Sequence, residues 1–185
     1  MRFYHLDALK RRYGEEPIQA IYTVINGFIT LGLLGLVAHL AHEPYLFPSL
    51  GPTALILFAT PKAAVASPRN VILGHLIGVL AGYLALQVTG LALAPPTFVA
   101  GVTGARIVAA ALALAATGGL TVLFRTQHPP AGATTLIIAL GIMTKPHTLV
   151  VLMTAVLIMV IQAIVINRLA GIPYPLWRHQ TPEGR

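Results

Sequence analysis

The chain of 185 residues carries 12 Lys and Arg against 5 Asp and Glu, a formal net charge of +7, and 56% of its residues are hydrophobic. Only 9% are charged, against roughly 25% in soluble domains, so we expect an integral membrane protein, with residues 1–185 in one transmembrane domain surrounded by lipid. The basic residues are dispersed at the ends of apolar segments, which argues against a nucleic-acid partner. The absence of cysteine excludes disulfides and thiolate chemistry.

Four long apolar runs follow one another along the chain, at 18–38, 71–94, 107–124 and 148–166. Each is close to the ~20 residues that a transmembrane helix needs, so we expect an all-α membrane protein. The first run is too long for the apolar part of a signal peptide and lacks a convincing cleavage site. We therefore expect it to remain as the first transmembrane helix.

Two shorter apolar segments lie between these runs, "PSLGPTALILFAT" at 48–60 and "PPAGATTLIIALGIM" at 129–143. A shift of 81 positions aligns them with five identities in the twelve positions 48–59. The identical pairs are Pro48 and Pro129, Gly51 and Gly132, Thr53 and Thr134, Leu55 and Leu136, and Ile56 and Ile137. The same shift lays the first long run on the third and the second on the fourth. This predicts two repeats of helix, short broken segment and helix, at about 17–94 and 98–170.

The distribution of charge indicates that the short segments cross the membrane. If they cross and the N-terminus is cytoplasmic, nearly all Lys and Arg lie inside, while Lys145 is outside and Arg106 is near the outer surface. If they turn back, Arg69 and Arg125 join Lys145 outside and the uncharged loop 91–102 lies inside. The first arrangement fits better. Each repeat then crosses three times, so we expect six segments in two inverted repeats, with both termini in the cytoplasm of an inner or plasma membrane.

The short segments begin with residues that start a helix partway across the membrane. Pro52 and Pro130 suit the first turn of a helix, and Gly51 and Gly132 allow a close approach of the backbone to a ligand. Such a helix start leaves N–H groups free and carries about half a positive charge, so two facing starts predict a site for a small anion. The predicted binding residues are Ser49, Gly51, Thr53, His128, Gly132, Thr134 and Thr135. The alternative is a pair of plain helix breaks without a ligand.

Several polar residues beside these segments have both a functional and a structural interpretation. His128 either binds an anion or carries a proton, or it is a neutral residue that caps backbone groups. The candidates for lining the pathway are Arg69, Asn70, His75, Arg106, Arg125 and Gln127. The alternatives are topology-setting charge for Arg69 and Arg125, packing for His75, and extension of Arg106 to the membrane surface.

The acidic residues lie outside all the apolar segments. They are Asp7, Glu15, Glu16, Glu43 and Glu183. A cation pump or a carboxylate-based proton relay therefore lacks its usual groups. No nucleophile–base pair or phosphate-binding loop is present in the sequence, so we expect neither an enzyme nor a bound metal or cofactor.

Small residues recur at helical spacing in two of the long runs. Gly74, Gly78 and Gly82 lie four residues apart, and 105–116 is rich in alanine. Such faces allow close packing of helices, either against a short segment or between subunits. The sequence leaves both open, and we expect a homo-oligomer.

Three stretches of the chain resemble a known family. "HPPAGATTL" at 128–136 is similar to the signature of the HPP family of integral membrane proteins, and "SLGPTALILFATP" at 49–61 and "SPRNVILGH" at 67–75 resemble its other recurring stretches. The resemblance covers about 18–168. Some members are linked to nitrite transport in chloroplasts and cyanobacteria, which implies a nitrite-like anion as substrate. The family often has Phe-Gly-Ala-Ser where this chain has Leu50-Gly51-Pro52-Thr53. The hydroxyl is therefore kept, but the residue before it differs.

The expected function is therefore that of a transporter or channel for a small inorganic anion, with nitrite as the leading substrate. A channel for a small neutral solute, such as urea or ammonia, is the first alternative. A membrane scaffold or sensor module without transport is the second.

Overall fold

A computed structural model describes residues 6–179 as a bundle of eight α-helices and one short 3₁₀ turn, with no strand among those residues. The helices are α1 Leu6–Tyr13, α2 Glu15–Ala41, α3 Leu50–Ala59, α4 Pro68–Val88, α5 Thr97–Ala100, α6 Gly104–Leu123, α7 Pro130–Ala139 and α8 Pro146–Leu169, and the 3₁₀ turn is Ala64–Ala66.

The four predicted spans are confirmed as α2, α4, α6 and α8, which are 20 to 27 residues long and apolar enough to cross a membrane. At about 1.5 Å per residue, each is at least as long as the ~30 Å hydrocarbon core. The second span is shorter than predicted, because α4 ends at Val88 and not at position 94. Gly90 follows with a φ of 70°, a backbone conformation that cannot continue a right-handed helix.

The short segments form α3 and α7, each ten residues long. Such a helix is about 15 Å long, roughly half of the hydrocarbon thickness. A helix that ends inside a membrane protein leaves carbonyl groups that must find donors. For α3 these donors are side chains of flanking spans, since Gln19 donates to the Phe58 carbonyl at 2.5 Å and Asn167 donates to the Leu57 carbonyl at 3.2 Å.

The glycines of α4 pack against α7 and the segment that precedes it. A Cβ atom added at Gly74 would lie 2.9 Å from the Cβ of His128, and one at Gly78 would lie 2.7 Å from the Ala131 carbonyl oxygen. Gly82 makes an equally close approach further along α7. Of the two possibilities that the sequence left open, these glycines serve the packing of a half-length helix within one chain.

The outward faces of the bundle are apolar and uncovered. Val24 and Phe28 of α2 are 70% and 80% exposed, and Ile107 of α6 is 58% exposed. In contrast, Phe58 of α3 and Met159 of α8 are fully buried in the core between α2, α3, α4 and α8. Apolar side chains on both the inside and the outside are typical of helices that face lipid.

Candidate functional site

Two histidines and two threonines meet between α3, α4 and α7. We call Thr53, His75, His128 and Thr134 the histidine–threonine cluster. His75 is completely buried and His128 is 3% exposed, and both threonines are completely buried. Thr53 Oγ1 lies 2.9 Å from His75 Nε2 and 3.1 Å from His128 Nε2, and Thr134 Oγ1 lies 2.8 Å from His75 Nδ1.

The cluster is assembled by residues from four elements. Thr53 is in the first turn of α3, Thr134 is in the first half of α7, and His75 is in the first half of α4. His128 lies in the non-helical segment before α7, where Gly74 leaves room for its Cβ atom. The sequence "HPP" produces this arrangement because the two prolines prevent the helix from starting before Pro130.

The 3₁₀ turn fixes the orientation of the His128 ring. His128 Nδ1 lies 2.8 Å from the Val65 carbonyl oxygen, and a carbonyl can only accept, so Nδ1 carries a hydrogen. The next residue of the turn is held by Tyr174, whose hydroxyl donates to the Ala66 carbonyl. Burial raises the pKa of the Tyr174 phenol, so this donor keeps its hydrogen under physiological conditions.

Two further hydroxyls near the cluster are buried without a partner in the described part of the chain. They belong to Ser49, the residue before α3, and to Thr126, two residues before His128. Both residues are completely buried. A buried hydroxyl without a hydrogen bond is costly, and such groups often mark the place of a ligand or water. Sequence reasoning included Ser49 and missed Thr126, because a single threonine in a loop has no distinguishing pattern.

The remaining predicted binding residues on α7 face α6 and not the histidines. Thr135 Oγ1 lies 2.8 Å from Thr117 Oγ1 and donates to the Ala131 carbonyl at 2.9 Å. A Cβ atom at Gly132 would lie 3.4 Å from the Leu114 side chain of α6. On α3, a Cβ atom at Gly51 would meet no atom of the described residues within 4 Å. The structure therefore separates these three residues from the cluster.

The helix starts provide fewer free amides than the sequence predicted. The amide of Ala131 donates to the His128 carbonyl at 2.9 Å, and the amide of Gly132 donates to the Pro129 carbonyl at 3.0 Å. At α3, the Leu50 amide donates to the Phe47 carbonyl at 2.9 Å. These turn-type bonds use donors that an anion would need. Side chains are therefore the main available donors at this site.

Four of the pathway candidates join α4 to the loop that carries His128. Arg69 donates to the carbonyls of Phe124 and Arg125, at 2.8 and 2.7 Å, and so caps the end of α6. Asn70 donates to the Gln127 carbonyl at 3.2 Å. The side chains of Arg69 and Asn70 thus hold the loop beside the cluster.

Arg106 lies at the opposite end of α7 from His128. It is 3% exposed, and its guanidinium donates to the Ala139 carbonyl at 3.1 Å and to the Pro95 carbonyl at 2.8 Å. A Cβ atom at Gly141 would lie 2.9 Å from this guanidinium. The side chain therefore does not extend to the surface; it supplies the donors that the end of α7 needs inside the protein.

Comparisons with known proteins give one family match and two curated relatives. The family described as "HPP, transmembrane region" matches residues 14–175. A transmembrane protein of Dictyostelium discoideum is 33% identical over 143 residues, which cover 74% of this chain and 46% of that protein. A second transmembrane protein of the same organism is 29% identical over 148 residues, which cover 74% of this chain and 44% of that protein.

The chain thus spans less than half the length of these curated relatives. No solved structure matches it. The family match extends over most of the chain and includes all four spans, both half-length helices and the whole histidine–threonine cluster. This protein therefore belongs to the HPP family of transmembrane proteins.

Proposed function

We propose that this protein is not an enzyme but a transporter or channel for a small inorganic anion, with nitrite as the leading substrate, and that the histidine–threonine cluster lies on the pathway. The observation that carries the proposal is a buried group of two histidines and two hydroxyls where two half-length helices meet α4, inside a bundle of apolar spans. Polar groups inside a membrane protein are costly and are most often kept for a substrate or ion pathway.

The proposed architecture is a six-segment inverted repeat of helix, half-length helix and helix. Its support is the shift of 81 residues that aligns α3 with α7. Thr53 and Thr134 are equivalent under this shift, and both contact the ring of His75. Transporters built from inverted repeats bind substrate where the broken helices of the two halves meet.

The proposed anion site uses side-chain donors assisted by the positive ends of two helices. The unpartnered hydroxyls of Ser49 and Thr126 offer two hydrogens without the loss of a bond within the protein. Thr53 and Thr134 can each turn a hydroxyl toward a ligand at the expense of a contact with a histidine. Since the first amides of α7 are already bonded, the helix ends contribute mainly through their dipoles.

We propose that both termini face the cytoplasm of an inner or plasma membrane. The support is the excess of Lys and Arg on one side when all six segments cross. Any homo-oligomer would use a face other than the glycines of α4, because those glycines pack against α7. The open face of α6 at Gly118 and Gly119, where an added Cβ would meet no described atom within 4 Å, is one available small-residue surface.

The test is solute flux in liposomes that contain the purified, folded protein. We expect nitrite to cross faster than nitrate, formate, chloride and urea, and to cross in protein-free liposomes at only a background rate. Faster urea or ammonia flux, without competition by any anion, would replace the proposal with a neutral-solute channel. An absence of flux for every solute would leave the scaffold or sensor function.

A further inference from the structure

The histidine–threonine cluster contains one more hydrogen-bond contact than it has hydrogens when both rings are neutral. His128 makes two of the contacts, from Nδ1 to the Val65 carbonyl and from Nε2 to Thr53 Oγ1. Thr53 Oγ1 makes two more, to the Ser49 carbonyl and to His75 Nε2. The fifth contact joins His75 Nδ1 to Thr134 Oγ1. These are five contacts, whereas two hydroxyls and two neutral imidazoles supply one hydrogen each. One additional proton supplies the hydrogen for the fifth contact.

The position of that proton follows from the tautomers. His128 Nδ1 donates to Val65, so in the neutral ring Nε2 is an acceptor and the Thr53 hydroxyl must point at it. When a proton from solution forms a bond to the Nε2 lone pair, Nε2 becomes a donor to Thr53. The Thr53 hydroxyl then turns to the Ser49 carbonyl, which already lies 3.0 Å away. Both protonation states therefore have partners, and only one hydroxyl rotates.

The cluster accepts one proton and not two. The ring centroids of His75 and His128 are 5.0 Å apart, and two positive charges at this distance inside a buried site repel each other strongly. His75 can remain neutral beside a charged His128, because its Nε2 hydrogen donates to Thr53 while Nδ1 accepts from Thr134. The pair therefore holds a single positive charge at most.

No carboxylate of this chain lies on the elements that surround the pair. Residues 44–179, which include α3, the 3₁₀ turn and α4 to α8, contain no Asp or Glu. The charged and imidazole side chains on these packed elements and their adjoining loops, besides the pair itself, are Lys62, Arg69, Arg106, Arg125, Lys145, His147, Arg168, Arg178 and His179. Arg69, Arg106 and Arg168 are engaged with backbone carbonyls. A proton on the pair thus has no counter-ion within the surrounding bundle.

A buried cation without a counter-ion is unfavourable, and so is a buried anion. The proton and the anion neutralise each other's charge when they enter the site together. We propose that the His75–His128 pair binds one proton with each monovalent anion, so that the substrate crosses as an electrically neutral pair of anion and proton. This inference rests on the proposed function, and it adds the coupling ion, the stoichiometry and the proton-accepting atom, His128 Nε2.

The test is titration calorimetry of the purified full-length protein with sodium nitrite near neutral pH, in two buffers with different heats of ionisation. The difference between the two measured heats gives the number of protons taken up from the buffer. We expect close to one proton per bound nitrite. Binding of nitrite without proton uptake would overturn the proton inference and leave the anion function intact, whereas an absence of both binding and flux would overturn the two together.

Two variants locate the proton. His128→Gln keeps an amide near the position of the ring and removes the titratable nitrogen, so we expect weaker nitrite binding with proton uptake near zero. His147→Gln is the matched control, because His147 is exposed and its ring contacts Glu43 and not the cluster; it should retain one proton per nitrite. Full proton uptake by His128→Gln would contradict the assignment to His128 Nε2, and full uptake also by the double variant His75→Gln/His128→Gln would contradict the role of the pair.

Discussion

Thr53 and Thr134 bind opposite nitrogens of the same imidazole ring, at 2.9 Å from Nε2 and 2.8 Å from Nδ1 of His75. The two threonines are 81 positions apart and occupy equivalent places in two similar segments. One residue of α4 therefore links the starts of both half-length helices. A substitution at either threonine therefore removes a contact of a ring that the other threonine also contacts.

The close packing of α4 on α7 predicts a strong effect of one added methyl group. Gly78→Ala places a Cβ atom 2.7 Å from the Ala131 carbonyl oxygen and 2.9 Å from Thr135 Oγ1. Because the nearest atom is backbone, α7 must move, and we expect a destabilisation of about 1–3 kcal/mol. The measurement is the midpoint of thermal unfolding in detergent.

Gly32→Ala on α2 is the control for this prediction, since its added Cβ meets no atom of the described chain within 4 Å. Alanine favours a helix over glycine by about 1 kcal/mol, so this variant should be as stable as the wild type or more stable. Equal midpoints for Gly78→Ala and the wild type would show that α7 does not pack on α4 as described.

Arg106 should act on stability and not on anion selectivity. Arg106→Gln removes the donors to the Ala139 and Pro95 carbonyls, and each unsatisfied buried carbonyl costs about 1–3 kcal/mol. We expect a lower unfolding midpoint, with an unchanged order of preference among anions in the protein that remains folded. A changed order of preference at normal stability would instead place Arg106 on the pathway.

The burial of the Tyr174 phenol predicts that the free energy of unfolding falls as pH rises in the alkaline range. Burial raises the pKa of its phenol above the ordinary value of 10.0, so the folded state holds this proton more tightly than the unfolded state does. The contribution is complete below pH 10 and is lost as pH rises through the folded pKa, with a slope of up to ~1.4 kcal/mol per pH unit.

Tyr174→Phe lacks the titrating group, and its stability should fall less steeply above pH 10 than that of the wild type. It also loses the donor to the Ala66 carbonyl, so it should be less stable near neutral pH by about 1 kcal/mol. Denaturant unfolding at several pH values measures both effects. Parallel pH profiles for the two proteins would contradict the burial of the phenol.

The apolar runs predicted the spans and both half-length helices because length and hydropathy are properties of the chain itself. The prolines also predicted where α7 starts. The end of α4 was placed six residues too late, since 89–94 is as apolar as the helix although Gly90 turns the backbone. The short helices α1 and α5 have no apolar repeat that would predict them.

The candidate site was only partly predictable. Thr53 and Thr134 were named from the repeat, and His128 from its place beside the prolines. His75 was named as a candidate for lining the pathway, with packing as the alternative, and its contacts with both threonines were not predicted, because its position in a long helix says nothing about which residues meet its ring. The Val65 carbonyl was not predicted, since every residue has one and only tertiary structure selects it.

The most direct test of the anion pathway is initial nitrite uptake into liposomes by Thr53→Val, compared with Thr154→Val. Thr53 contacts both histidines, whereas Thr154 on α8 donates only to the Val150 carbonyl of its own helix. Valine keeps the shape of threonine and removes the hydroxyl. We predict that Thr53→Val lowers uptake at least about tenfold, equivalent to ~1.4 kcal/mol, while Thr154→Val is unchanged. Equal uptake by both folded variants would contradict the placement of the histidine–threonine cluster on the pathway.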